Sequence, residues 1–300
     1  MVCKNKFIKL IRLQLNLISK ILFIFLIFKS ISLANNFSID ENDKLFIETF
    51  NSGFKFHKNF MSQNKHNFNY IKDTSQARSG EYYQKFELRN GDCFGDESWN
   101  DCDNDRQRIE LSSRPNQPTS GKQCYGYSLK LSNEFTDIRK VSTTLGQIHQ
   151  HGGPSGKANS LSSFPPLIQI DARQGGLYLN WHKLSGSKDN VIDESEYHKL
   201  KLLKNMKGVW TDISVCLDFE NKKIDAWVDG NKVVEIFKSP IFFEPESIYF
   251  KHGIYQSFIS AYTIFKGETP TQIVYYDEVR RGNAIEDVDI IVNPGLKFVD

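Results

Sequence analysis

The chain has 300 residues, with 38 Lys and Arg against 36 Asp and Glu, so its formal charge is only +2, and 39% of its residues are hydrophobic. So small a net charge supplies no global basic field, which excludes a protein that holds nucleic acid by bulk charge and leaves any anionic polymer to be gripped by a local cluster of cations and hydrogen-bond donors. The length suits one large β-sandwich or two small domains, and no Pro/Ser-rich linker or internal repeat divides it.

Lys4, Lys6, Lys9, Arg12 and Lys20 open the chain, Ile21 to Phe28 is an unbroken apolar run, and Ser32-Leu33-Ala34 sets small residues where a signal peptidase reads. This pattern predicts a secretory signal at residues 1–34 and a single domain at 35–300, exported to the extracellular space. The apolar run is shorter than the roughly 20 residues of a spanning helix, so no membrane contact is expected after cleavage, and a monomer is expected. The leader carries six cations and no acid, so its loss turns +2 into −4. Cys93, Cys102, Cys124 and Cys216 remain, an even number in an oxidising compartment. Four cysteines allow three pairings; Cys93 with Cys102 is favoured, because they flank the short polar loop Phe94 to Asp101. No CxxC pair or nearby His completes a metal set.

In chain order, Lys44 to Phe60 reads as an entry strand, and Glu81 to Leu88 and Gln107 to Ser112 as two more. Tyr125, Tyr127, Leu129 and Leu131 alternate with polar or small residues in a half-buried strand. Leu145 to His151 follows, then the Gly/Ser/Pro-rich segment 152–163, a loop joined to that strand. Pro166 to Asp171 and Gly176 to His182 are strands. Ser185 to Lys207 is highly charged, and Tyr197, Leu200 and Leu203 fit one face of a short helix. Ile213, Val215, Leu217 and Phe219 alternate strictly, and Asp229-Gly230 is a hairpin signal, which together predict an antiparallel meander. Ile248 to Ser257 and Gln272 to Arg280 complete the strands. So many short strands and so little helix predict an all-β sandwich with one sheet curved into a concave cleft.

Three strands carry unusual polar residues. Period two puts Gln147, His149 and His151 on one face of their strand and Ile148 on the other; Arg108 and Glu110 share a face; Lys251 and Tyr255 share another, with Gly253 between them. An ordinary solvent-exposed sheet face shows the same alternation, and Arg108 with Glu110 fits an exposed cross-strand ion pair. If the strands adjoin, however, the set suits β-elimination on a uronic acid. The C5 proton is weakly acidic while the neighbouring carboxylate keeps its charge, so cations and amide donors must neutralise that carboxylate as an enolate-like state develops. Arg108, Gln147 and Lys251 supply them. A neutral His149 is suited to take the C5 proton and Tyr255 to protonate the departing glycosidic oxygen, or to do both on a syn path. None of these steps calls for a cofactor.

Arg108-Ile109-Glu110-Leu111, Gln147-Ile148-His149, Trp210-Thr211-Asp212, Ala226-Trp227-Val228-Asp229-Gly230, Tyr249-Phe250-Lys251-His252-Gly253-Ile254-Tyr255 and Tyr275-Tyr276-Asp277-Glu278-Val279 stand in an order that resembles the polysaccharide lyases similar to heparin lyase I and glucuronan lyase. The resemblance runs from about Phe86 to Gly282. It implies a concanavalin-like β-jelly roll, Gln147 and His149 in the cleft, Lys251 and Tyr255 opposite, Arg108 reaching a substrate carboxylate, and an anionic polysaccharide as partner. It also implies a structural calcium away from the cleft, with Asp277 as the residue to watch. No basic run able to hold heavily sulfated chains is evident, which points to plain polyuronates. A lectin-like glycan-binding module of the same fold is the rival reading, since fold does not fix function; it needs aromatic rings in the groove but no acid or base. A sandwich glycoside hydrolase needs paired carboxylates across the scissile bond, and no Glu-x-Asp-x-x-Glu strand occurs. His151, His182 and His252 read as bystander or structural residues.

Overall fold

The alternation that runs through the sequence is realised as strands packed face to face. The computed structural model describes residues 38–39, 45–48, 55–61, 64–96, 99–138, 140–151, 164–187 and 190–299; the expected leader 1–34 and the loop 152–163 lie outside them. The strands, in chain order, are β1 (Ser38–Ile39), β2 (Leu45–Glu48), β3 (Lys55–Met61), β4 (Phe68–Lys72), β5 (Tyr82–Leu88), β6 (Arg106–Ser113), β7 (Lys122–Leu131), β8 (Ser142–His151), β9 (Ile168–Arg173), β10 (Gly176–Ser187), β11 (Asn190–Leu202), β12 (Thr211–Asp218), β13 (Lys223–Val228), β14 (Asn231–Ile236), β15 (Ser247–Ser257) and β16 (Gln272–Gly282). One sheet has the order β1-β2-β3-β6-β15-β8-β9-β10-β11, the other β14-β13-β12-β7-β16-β5-β4. Residues Ile39–Asp300 form one compact unit.

The core lies between the sheets. From the first sheet Ile109, Leu111, Leu145, Ile148, Phe250 and Ile254 point inward; from the second come Phe86, Leu129, Ile213, Val215, Leu217 and Tyr276. All are buried, so the apolar face of each strand meets its counterpart, as two-layer sandwiches require. Asp229 and Gly230 turn the predicted hairpin with φ of 49° and 74°, the two positive values that a type I′ turn demands.

Ser185 to Lys207 departs from the helical expectation. β11 pairs with β10 along its whole length, from Ser187↔Asn190 to Gly176↔Leu202. The edge of β10 offers a row of backbone donors and acceptors that a partner strand satisfies and a helix would leave bare, and this pairing overrides a weak apolar period. Leu200 and Leu203 are buried, while Tyr197 is exposed beneath the Arg173 guanidinium, 4.0 Å from its ring centre. A short helix, α1 (Ser260–Lys266), forms where no element is legible. Its first residue is latched by Asp105, which accepts from Ser260 N at 2.7 Å and from its hydroxyl at 2.8 Å.

Two disulfides form: Cys93–Cys102, the favoured pair, and Cys124–Cys216, which joins directly opposed residues of β7 and β12. No helix among the described residues is long and apolar enough to cross a membrane.

Candidate active site

The pairing of β15 assembles the polar residues. β15 lies between β6 and β8, with Tyr255 opposite Arg108 and Gly253 opposite Glu110 on one side, and Lys251 opposite Gln147 and Tyr249 opposite His149 on the other. Side chains of one parity on three adjacent strands share a face, so Arg108, Gln147, His149, Lys251 and Tyr255 come together on the face turned away from the core. A bulge between Lys251 and Tyr255 shifts the register, so that Tyr255 opposes Thr144. β8 breaks register between Thr144 and Gln147 against β9 as well, so Thr144 shares the outer face with Gln147, while Leu145 and Ile148 both enter the core.

The floor of this face is nearly sealed from solvent. Gln147, Lys251 and Glu110 are buried, whereas His149 and Tyr255 are half-buried and reach the opening. Gln147 Nε2 donates to Glu110 Oε1 at 2.5 Å, and Glu110 Oε2 lies 3.8 Å from Arg108 Nη1. The pairing of Arg108 with Glu110 thus forms, but buried rather than exposed, and Glu110 is shared with Gln147. Arg108 instead forms a two-pronged bond to Asp101, Nε to Oδ2 at 2.6 Å and Nη2 to Oδ1 at 2.5 Å, and its guanidinium stands 4.5 Å from the ring centre of Tyr255. Asp101 also accepts from Trp99 Nε1 at 2.8 Å. Asp101 adjoins Cys102, so the first disulfide closes the loop that holds Arg108.

The protonation states follow from burial. The His149 imidazole is pushed down to about 3 by burial, reinforced by Lys251 and opposed by the bond to the Gln150 carbonyl. That bond joins Nδ1 to the carbonyl at 2.8 Å. A carbonyl only accepts, so Nδ1 carries the hydrogen and Nε2 keeps its lone pair. The ring stacks on Tyr249 with centroids 5.1 Å apart. Burial pushes the Lys251 ammonium down to about 8, against the opposing pull of Glu110. Burial also raises the Tyr255 phenol, with Arg108 and Arg106 lowering it in part, so near neutrality the phenol keeps its proton. The face therefore presents a neutral imidazole, a phenol that keeps its proton, and an amide and cations between them.

The polar floor continues onto β9 and β10. Gln169 lies opposite Gln147 and Asn180 opposite Gln169. His182 reaches Gln169 Oε1 through Nε2 at 2.7 Å and Asp193 through Nδ1 at 3.0 Å. His151 is exposed at the strand end near Glu246. His252 lies in the core, its Nε2 2.7 Å from Gln84 Oε1 and its ring among Phe56, Phe86, Phe250 and Tyr276.

Asp277 lies on β16 in the other sheet. Its Oδ2 accepts from the backbone of Arg78 at 2.7 Å and of Ser79 at 3.4 Å, and its Oδ1 accepts from the backbone of Glu278 at 2.7 Å. Burial raises this carboxyl to about 7. Among the described residues no group of three or more His, Cys, Asp or Glu side chains is placed to hold a metal ion. A calcium ion wants six to eight oxygens, so a carboxylate already engaged by three backbone donors does not fit that role.

Three neighbours escape the sequence reading. Arg106 Nε lies 2.7 Å from the Tyr255 hydroxyl; it shares parity with Arg108 and escapes because the strand was expected to begin at Gln107. Tyr249 shares the parity of Lys251 and Tyr255, so period two could have found it. Asp101, inside the cysteine loop, carries no sequence signal.

A family profile described as polysaccharide lyase matches residues 48–280. Among solved structures, an endo-β-1,4-glucuronan lyase from the fungus Trichoderma reesei is similar at a TM-score of 0.55 and 17% identity, covering 77% of this chain and 92% of that one. The catalytic domain of a glycoside hydrolase family 131 protein from Coprinopsis cinerea is similar at 0.50 and 12% identity, covering 78% and 86%. The family 7 alginate lyase A1-II′ aligns at 0.46 and 14% identity, covering 73% and 84%. No curated protein sequence matches. At these identities the structural likeness establishes the jelly-roll fold.

Proposed function

The chain belongs to the polysaccharide lyase family, and from that premise we propose that it cleaves a uronic-acid-containing polysaccharide by β-elimination. One observation carries the reading: Lys251 and Gln147 are strand partners, lying between a neutral His149 and a protonated Tyr255. In the reaction, Lys251 and Gln147, with the Arg108 charge behind them, neutralise the substrate carboxylate as charge develops at C5. His149 Nε2 takes the C5 proton. The freed electron pair forms the C4–C5 double bond, the C4–O4 bond breaks, and Tyr255 gives its proton to O4. No water and no cofactor is consumed. The glycoside hydrolase of the same fold shows why the side chains rather than the sandwich must decide.

A second assignment of roles draws on the register. Tyr249, not Tyr255, is the strand partner of His149, and Tyr255 lies beyond Lys251 along β15. This spacing favours Tyr255 acting as both base and acid on a syn path, with His149 binding the sugar. The leader at 1–34 and the two disulfides support secretion into an oxidising compartment.

The test is a panel of polyuronates, glycosaminoglycans and neutral glucans, read by the ultraviolet absorbance of the unsaturated product, with His149→Ala and Tyr255→Phe beside the parent. A polyuronate is expected to give unsaturated ends, and each variant to lose roughly 10²-fold or more in turnover while still binding. New reducing ends without the unsaturated product would mean hydrolysis. Full activity in both folded variants would remove the assignment, and loss in Tyr255→Phe alone would select the second set of roles.

A further inference from the structure

The phenol of Tyr255 is held by a second arginine besides Arg108. Arg106, the first residue of β6, donates from Nε to the Tyr255 hydroxyl oxygen at 2.7 Å. Its own place is set by two other contacts: Nη1 donates to the Asn104 carbonyl at 2.6 Å, and the guanidinium lies 5.5 Å from the centre of the Trp99 ring. Asn104 belongs to the turn that follows Cys102, and Trp99 lies inside the disulfide-closed loop, so the loop presents Arg106 to the phenol as a fixed donor. We infer that Arg106 is a positioning residue for proton transfer, which holds the Tyr255 oxygen in place and stabilises its phenolate. This rests on the reading of Tyr255 as a proton-transfer group.

Two consequences follow from the chemistry of the bond. An arginine N–H only donates, so the phenol oxygen accepts here and its own hydrogen must point elsewhere, away from Arg106. When that proton leaves for O4, the O–H bonding pair stays on the phenol oxygen, and the new negative charge faces a guanidinium already within bonding distance. A neutral acceptor bond then becomes an ion-assisted one, which is stronger in the phenolate state than in the phenol. Interactions that strengthen along the reaction raise turnover rather than binding. The other charges at this phenol are Arg108, stacked on its ring, and Glu110, which opposes ionisation. Arg108 is already bound on two sides by Asp101, so Arg106 is the cation that bonds to the phenol oxygen itself.

The experiment separates Arg106 from the function it serves. Ionised tyrosine absorbs differently from the phenol, so subtracting the titration of Tyr255→Phe from that of the parent yields the Tyr255 midpoint; the same subtraction within Arg106→Gln yields it without the guanidinium. Arg106→Gln is expected to raise the midpoint by roughly one pH unit or more and to lower kcat by roughly 10- to 100-fold, the range of one charge-assisted bond, with KM little changed. Arg106→Lys, which keeps a cation, is expected to recover part of both. Melting curves confirm that each variant is folded. A midpoint in the parent not lower than in Arg106→Gln, or a loss confined to KM, overturns the inference. An inactive Tyr255→Phe beside a fully active Arg106→Gln overturns this inference alone, whereas a fully active Tyr255→Phe overturns the role of Tyr255 whatever the titration shows.

Discussion

Gln147 and Glu110 meet at 2.5 Å across the strand that separates them. They stand on β8 and β6, the two neighbours of β15, and strands two apart in a sheet are about 9.6 Å from backbone to backbone. Beside this contact Gly253, the β15 residue opposite Glu110, lies tight on the β6 backbone, where a Cβ would stand 2.9 Å from Glu110 Cα. The central amide is therefore aimed by a buried carboxylate, on the strand against which Gly253 packs.

Gly253→Ala tests this close approach. Gly253 has φ of +136°, and an added Cβ would lie 2.2 Å from the Ile109 carbonyl oxygen, a backbone atom that cannot yield without moving β6. The variant is expected to lose about 2 kcal/mol or more of unfolding free energy. Its turnover on the best substrate should fall further than that of an equally destabilised variant in the distant β13–β14 hairpin. Urea unfolding with parallel assays is the measurement.

Gln147→Leu removes the donor and leaves Glu110 Oε1 buried without it. A loss of about 1–3 kcal/mol is expected, together with a lower kcat/KM on a polyuronate. Adding Glu110→Leu should return part of the stability, because both polar partners are then gone, but none of the activity. Equal and additive losses in the two single variants and their double would show that the pair is not coupled.

His252 predicts a pH dependence of stability unrelated to catalysis. It is fully buried in the core, and burial pushes its imidazole down to about 3 from the ordinary value of 6.5. The neutral form is thus favoured in the folded state, and below about pH 6.5 the unfolded chain binds a proton that the folded one refuses. Stability from this group is full above that pH and is lost as pH falls towards 3, at up to roughly 1.4 kcal/mol per pH unit. Chemical denaturation at pH 7, 6 and 5 should show the slope, and His252→Gln should flatten it. An unchanged slope in the folded variant would assign the dependence to other groups.

The two disulfides should separate stability from activity. Cys124–Cys216 closes a span of 92 residues and Cys93–Cys102 one of 9, which on loop entropy correspond to about 4.6 and about 2.6 kcal/mol. Replacing Cys124 and Cys216 by Ala should chiefly lower the melting temperature. Replacing Cys93 and Cys102 should cost less stability and more turnover, since the loop they close carries Asp101 and Trp99, which hold the two arginines at Tyr255. Melting and initial rates on the same preparations decide between these outcomes.

The sequence by itself determined which face of each strand is chemical. Side-chain period in a strand is two whatever the strand packs against, so Gln147 with His149, and Lys251 with Tyr255, were legible before any partner was known. The same rule gave the meander from Thr211 to Ile236 and its Asp229-Gly230 turn. Tertiary structure decided what lies beside what. Only the placement of β15 between β6 and β8 sets Lys251 against Gln147, and only the irregularity of β8 between Thr144 and Gln147 turns Thr144 to the outer face, because register depends on pairing and not on local pattern. Arg106 at Tyr255, Asp101 under Arg108 and Glu110 on Gln147 are contacts between residues of different strands or loops, for which no spacing in the chain is diagnostic. Tyr197, Leu200 and Leu203 suggested a helix; Tyr197 and Leu200 lie instead on the edge strand β11, with Leu203 in the 3-10 turn just past its end, because the open hydrogen-bonding edge of β10 outweighed a weak local period.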